Sequence, residues 1–151
     1  MNHQTVIRPA GSSDLNALIK LEQICFNTES FSRSQLRYLI SKARADFLLT
    51  EASGEISSFI ILLKRRTSRG MRIYSVAVSP KFRGKGLARL LLHEAAQRAR
   101  ADGLRYLTLE VSEDNTAAIS LYLNMGFEVF GERLSYYKNG SKAFLMRKEI
   151  S

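Results

Sequence analysis

IYSVAVSPKFRGKGLARLLLHEAAQRA, Ile73–Ala99, is the stretch on which the reading of the fold turns. Ile73–Val78 is an apolar run of strand length, and Ser79-Pro80 stops it. Lys81, Phe82, Arg83, Gly84, Lys85 and Gly86 follow as a basic, glycine-bearing turn. A helical pattern then begins, with Leu87, Leu90, Leu91, Ala95 and Ala99 on one face. The first N–H groups of a helix lack internal partners, and the macrodipole makes that end positive. Glycine lets backbone approach a ligand closely. With Lys81, Arg83, Lys85 and Arg89 nearby, the turn suits a phosphate or pyrophosphate. The same residues also fit a solvated helix cap, so the turn alone does not decide.

Two familiar phosphate motifs are excluded. A Walker A loop needs four residues between its first glycine and Gly-Lys-Ser/Thr, and one residue separates Gly84 from Gly86. The dinucleotide pattern G-x-G-x-x-G needs glycine at position 89, which is Arg89.

Working outward, Thr5–Arg8 predicts a short strand ended by Pro9. Ser12, Ser13 and Asp14 offer N-caps for a helix carrying Leu15, Leu18, Ile19, Leu21, Ile24 and Cys25. Phe26–Ser30 breaks it, and Ser32-x-x-Gln35 is a capping box for a second helix with Leu36, Leu39 and Ile40. Strands are predicted over 47–51 and 56–64, joined at Ser53-Gly54, and over 72–78 after a basic loop ending at Gly70. The helix after the turn spans 86–102 and ends at Gly103. A strand follows at 106–111, then a short helix capped by Asp114 or Asn115 and holding Ala118, Ile119, Tyr122 and Met125, ended by Gly126. The last strands are 127–133 and 143–148, with Asn139-Gly140 in the loop between them. The order β-α-α-β-β-β-α-β-α-β-β predicts a mixed sheet flanked by helices in one domain, 1–151. The strand-helix-strand over 72–111 implies a parallel pair with a right-handed crossover.

LEVSEDNTAAISLYLNMGF, residues 109–127, is a second signature: an acidic strand end, an asparagine, an alanine-rich turn, then Leu-Tyr and Gly-Phe. This stretch and the turn at 83–88 resemble the acetyl-CoA site of the GNAT superfamily of N-acetyltransferases. Arg83, Gly86 and Ala88 match that superfamily's loop, R/Q-x-x-G-x-G/A, in register. Tyr136-Tyr137, Asn139-Gly140, Ala143 and Met146 extend the likeness toward the branch that acetylates the N-terminal alanine of a ribosomal protein. The resemblance is close over about 70–149 and covers 5–65 only in layout. It implies an α+β fold with a mostly antiparallel sheet and a cofactor cleft between two splayed parallel strands. It implies acetyl-CoA as donor, held by Arg83, Gly84, Lys85, Gly86, Leu87 and Ala88, by the main chain of Val76, Ala77 and Val78, and by Asn115 and Tyr122. Backbone N–H groups at 76–78 would meet the oxyanion.

The chemistry can be reasoned separately. Moving an acetyl group from a thioester to an amine needs a neutral amine, a stabilised oxyanion and a proton for the leaving thiolate. A lysine near pKa 10.4 or an α-amine near about 8 needs help shedding its proton. Glu110, at a strand end, is a candidate general base, directly or through water; its bland reading is a solvated acid. Tyr122, twelve residues on, is a candidate general acid, and its phenol near pKa 10 lies only modestly above a thiol near about 8.5. Its bland reading is packing beside Ala118 and Ile119. Asn115 can cap the short helix, contact the cofactor, or both.

Composition narrows the remaining classes. The 151 residues are 45% apolar and 25% charged, ordinary for a globular domain, and no run approaches membrane-spanning length. MNHQTVIRPA holds no apolar signal core, and the lone Cys25 excludes an internal disulfide and reads as an inert core residue, so a cytoplasmic location is expected. His93 and His3 have no companions at metal-ligand spacing, so no metal is expected. The net charge of +9 suggests a polyanionic partner, with clusters at 81–89 and at Lys64, Arg65, Arg66, Arg69 and Arg72. No aromatic residues interleave the second cluster and no RNA-recognition box appears, which argues against nucleic acid.

Two positions depart from the branch. Ser141-Lys142 stands where it usually carries an acidic pair, and Asn27-Thr28 follows Phe26 where it usually carries Pro-Trp. Both regions shape the acceptor pocket, so the acceptor stays open: a protein N-terminus with neutral or acidic following residues is expected, against a small-molecule amine or a lysine. A domain that binds acyl-CoA without turnover and a nucleic-acid module are the competing classes. The sequence leaves monomer and homodimer open.

Overall fold

A computed structural model describes residues 5–41, 44–64 and 69–150 of the chain, except the side chain of Thr28. Among these, strands and helices follow the expected order: β1 Ile7–Pro9, α1 Leu15–Phe26, α2 Arg33–Ser41, β2 Ala45–Ala52, β3 Glu55–Lys64, β4 Gly70–Val78, α3 Leu87–Ala101, β5 Tyr106–Ser112, α4 Thr116–Asn124, β6 Glu128–Arg133 and β7 Ala143–Glu149. The strands form one seven-stranded sheet in the order β1-β2-β3-β4-β5-β7-β6. β4 and β5 are parallel, while β1–β2, β2–β3, β5–β7 and β6–β7 are antiparallel. The fold is the mixed, mostly antiparallel α+β sheet expected. None of the described helices is long and apolar enough to cross a membrane.

The chain divides into two compact units, Met1–Leu63 with Ser75–Leu92, and Lys64–Tyr74 with His93–Ser151. In the first unit, Ser57–Leu62 of β3 are buried without alternation, as in a strand covered on both faces. The hydroxyls this run carries are satisfied internally, with Thr50 Oγ1 bonded to those of Ser57 and Ser58. β1 runs one residue further than predicted and includes Pro9. The alternating ladder bonds explain why: Ala10 donates to the Phe47 carbonyl at 2.8 Å, so Pro9, paired with Leu48, turns its nitrogen away from β2 on the outermost strand.

Two capping expectations part ways. Ser32 and Gln35 form the predicted box, Ser32 N–H donating to Gln35 Oε1 at 2.8 Å and Gln35 N–H to Ser32 Oγ at 3.3 Å. Asp14 precedes α1 but makes no side-chain cap. Its carboxylate accepts two bonds from Arg8, at 2.9 and 2.8 Å, and one from Gly11 N–H at 2.7 Å. The guanidinium outcompetes the helix N–H groups because a charge-assisted fork is the stronger bond, and it holds Asp14 below the usual carboxylate range.

α1 also corrects a packing expectation. Ile24 is 63% exposed, whereas Glu22 is 1% exposed. Glu22 lies four residues after Leu18 and seven after Leu15, on the stripe that faces the core. Its Oε1 accepts from Phe31 N–H at 3.1 Å, and its Oε2 meets no partner among the described residues. Burial pushes this carboxyl up to about 7.

In the second unit, β5 alternates cleanly. Leu107, Leu109 and Val111 are buried, and Thr108 and Glu110 lie on the opposite face. The parallel register runs from Gly70↔Tyr106 to Ile73↔Leu109, while on its other side β5 pairs with β7 along its whole length. Tyr122 and Phe127 pack ring to ring at 5.7 Å, closing α4 onto the start of β6.

Candidate active site

In the first unit the turn after β4 is built as a row of open backbone donors. Pro80–Phe82 form a single 3₁₀ turn, with Phe82 buried beneath it. Gly84 and Gly86 both have positive φ, +79° and +78°, conformations that glycine adopts without strain. A side chain added at either would meet nothing within 4 Å, so the backbone is open there. The carbonyl of Gly86 accepts Leu90 N–H at 3.0 Å, so α3 starts at Leu87. Among the described residues no backbone carbonyl takes the N–H of Arg83, Gly84, Gly86, Leu87 or Ala88, while Arg83-Gly84 form a hydrogen-bonded turn closed by Lys85 N–H. These open donors lie at the positive end of a 15-residue helix.

The cations around it are differently employed. Arg83 Nε donates to the Val78 carbonyl at 3.3 Å, tying the turn to the end of β4. Lys85 lies 5.6 Å above the Phe82 ring. Lys81 pairs with Glu55 at 3.0 Å. The Val78 carbonyl also accepts the Cys25 thiol at 3.6 Å, and burial pushes that thiol up, away from the thiolate a nucleophile needs. Val76 and Val78 are half-buried and Ala77 is buried.

In the second unit Glu110 is not a solvated acid. Its side chain is 16% exposed and meets Arg72, 22% exposed, through a side-on fork. Arg72 Nε donates to Oε2 at 3.1 Å and Nη2 to Oε1 at 3.0 Å. Arg72 belongs to a basic cluster in the sequence, and the structure separates that cluster's described members. Arg72 belongs to Glu110, Lys64 pairs with Asp102 at 3.2 Å, and Arg65 and Arg66 lie outside the described residues.

Tyr122 is 7% exposed. Among the described residues no group hydrogen-bonds its hydroxyl. Burial pushes the phenol up to about 12, so it sits further above a thiol than the expected modest gap. Asn115 takes the capping role, its Oδ1 accepting Ala118 N–H at 3.1 Å. Asp114 is left to the turn, its N–H donating to Ser112 Oγ at 3.1 Å.

Lys142, in the loop between β6 and β7, meets acidic partners from neighbouring elements. Lys142 Nζ pairs with Glu132 at 3.2 Å, and the Lys142 N–H donates to Glu113 Oε2 at 2.6 Å. Tyr136 and Tyr137 stand edge to face at 4.9 Å, and both amides donate to the Ser141 carbonyl, at 3.1 and 3.2 Å.

Comparison with known proteins agrees with this architecture. The family model described as Acetyltransferase (GNAT) family matches residues 15–127. The catalytic subunit ard1 of the N-terminal acetyltransferase A complex of Schizosaccharomyces pombe is 31% identical, covering 96% of this chain and 85% of that protein. The N-alpha-acetyltransferase RimI of Mycobacterium tuberculosis is 40% identical over 51% of this chain and 48% of its own length. The chain spans 21% of a further relative, an uncharacterized protein of Mycobacterium leprae, so these two relatives are matched over half their length or less. The crystal structure of the ribosomal-protein-S18-alanine N-acetyltransferase from Escherichia coli superposes with a TM-score of 0.87 at 26% identity, covering 98% of this chain and 95% of that one. The chain belongs to the Acetyltransferase (GNAT) family.

Proposed function

We propose that the chain acts as a single acetyltransferase domain that moves the acetyl group of acetyl-CoA to the α-amine of a peptide or protein. The observation that carries this reading is the set of open N–H groups of Arg83, Gly84, Gly86, Leu87 and Ala88, placed for a pyrophosphate. Arg83 and Lys85 add charge, and the main chain of Val76, Ala77 and Val78 would run beside the donor's thioester and meet the oxyanion. The relatives named as N-terminal acetyltransferases support the α-amine as acceptor.

Glu110 takes a proton from the acceptor's ammonium, directly or through one water. The freed lone pair attacks the thioester carbonyl carbon, the C–N bond forms and the C–S bond breaks. Tyr122 donates a hydrogen bond to the departing sulfur, which leaves as a thiolate and takes its proton from solvent. The second proton on the new amide nitrogen leaves to solvent. An α-amine near pKa 8 loses its proton more easily than a lysine near 10.4, by about 2.4 units or about 3.3 kcal/mol, so one carboxylate manages it more readily. The long-range field of a +9 chain disfavours a polycationic acceptor, which points to neutral or acidic residues after the N-terminus.

The donor site is tested by calorimetric titration of acetyl-CoA. Gly86→Val adds a branched side chain where φ is +78°, and Ala88→Glu adds like charge beside the phosphates. Each is expected to weaken binding by at least about tenfold, about 1.4 kcal/mol. Unchanged affinity in both, with melting temperatures near wild type, would remove the phosphate assignment.

A further inference from the structure

We propose that Arg72 is the positioning residue of the general base. This rests on the reading of Glu110 as that base. A carboxylate that accepts a proton from a bound ammonium must face it in one orientation, yet a glutamate carboxylate turns freely about its last bond. The fork from Arg72 removes that freedom. One N–H reaches each oxygen, at 3.1 and 3.0 Å, which fixes the carboxylate plane. An ionised carboxylate has about four acceptor positions, so the fork leaves one on each oxygen for an ammonium or a bridging water.

Arg72 is itself held. Its guanidinium lies 4.9 Å over the Tyr74 ring, two residues along the same face of β4. The placement along the sheet is specific. Arg72 pairs with Thr108, and Glu110 is the next β5 residue on that face, just beyond the last parallel register pair, Ile73↔Leu109. Arg72 therefore reaches forward to fix the first carboxylate past the point where β4 stops pairing with β5.

The test is a double-mutant cycle on single-turnover acetylation of a peptide α-amine, with the two Michaelis constants measured beside it. Arg72→Gln is expected to slow the chemical step by about ten- to hundredfold, with both constants within about twofold of wild type. Arg72→Lys keeps the charge without the fork and should recover part of that loss. In a Glu110→Gln background, Arg72→Gln should cost less than about twofold, because the group it orients is gone. The same factor in both backgrounds, or a raised peptide constant with an unchanged rate, overturns the proposal. A Glu110→Gln variant at the wild-type rate overturns the base reading and the proposal with it, and is recognised from that single variant. Melting temperatures check folding, and Arg72→Lys carries the comparison where Arg72→Gln does not fold.

Discussion

Replacing Tyr122 with phenylalanine should lower single-turnover acetyl transfer by about 10²–10⁴, with acetyl-CoA affinity little changed. The substitution keeps the ring that packs on Phe127 at 5.7 Å and the backbone bond from Phe127 N–H to the Tyr122 carbonyl at 2.9 Å. Only the hydroxyl is lost, and no described residue uses it. Burial shapes how that hydroxyl acts. With the phenol pushed up to about 12, complete transfer of its proton to a thiolate near about 8.5 is uphill by about 3.5 units, about 5 kcal/mol. In the proposed mechanism Tyr122 is therefore a hydrogen-bond donor whose bond strengthens as charge grows on sulfur, in a site where burial also strengthens electrostatic contacts. A phenylalanine variant within about threefold of wild type returns Tyr122 to a packing role.

Glu110→Gln should cost a comparable factor, about 10²–10³ near neutral pH, and less as pH rises. The sign follows from the acceptor. Well above about pH 8 most of an α-amine is already neutral and needs no base, whereas near pH 7 about nine-tenths is protonated. The ratio of wild-type to variant rates should therefore shrink between pH 7 and 9.5. A ratio that stays constant across that range assigns Glu110 a role other than proton removal. Rates of the chemical step are the fair measure, since slow product release mutes both variants in steady state.

Much of the fold was legible because its signals are local. The run ending at Val78, the positive-φ glycines and the apolar face of α3 each depend on residues a few positions apart, and they placed the strand, the glycine turn and the helix after it. The capping box at Ser32 and Gln35 and the cap at Asn115 are of the same kind. What escaped was pairing across the sheet. Arg72 looked like one member of a basic run because its partner lies 38 positions away, and only the register Arg72↔Thr108 brings Glu110 within reach. The pairing of Lys142 with Glu132 escaped for the same reason. Asp14 failed as a cap because Arg8 claimed it first. Glu22 was discoverable: its spacing from Leu15 and Leu18 puts it on the core stripe, and its charge hid that.

The most direct measurement of the central claim is thiol release from acetyl-CoA across an amine panel: peptides with free N-termini whose residues two to five are acidic or basic, an N-blocked lysine peptide, and spermine. Amine-dependent release is expected, fastest for a free N-terminus followed by acidic residues. Faster release with spermine or the blocked lysine peptide would contradict the α-amine assignment, and release no faster than without amine, in a protein that binds acetyl-CoA, would contradict the transferase itself.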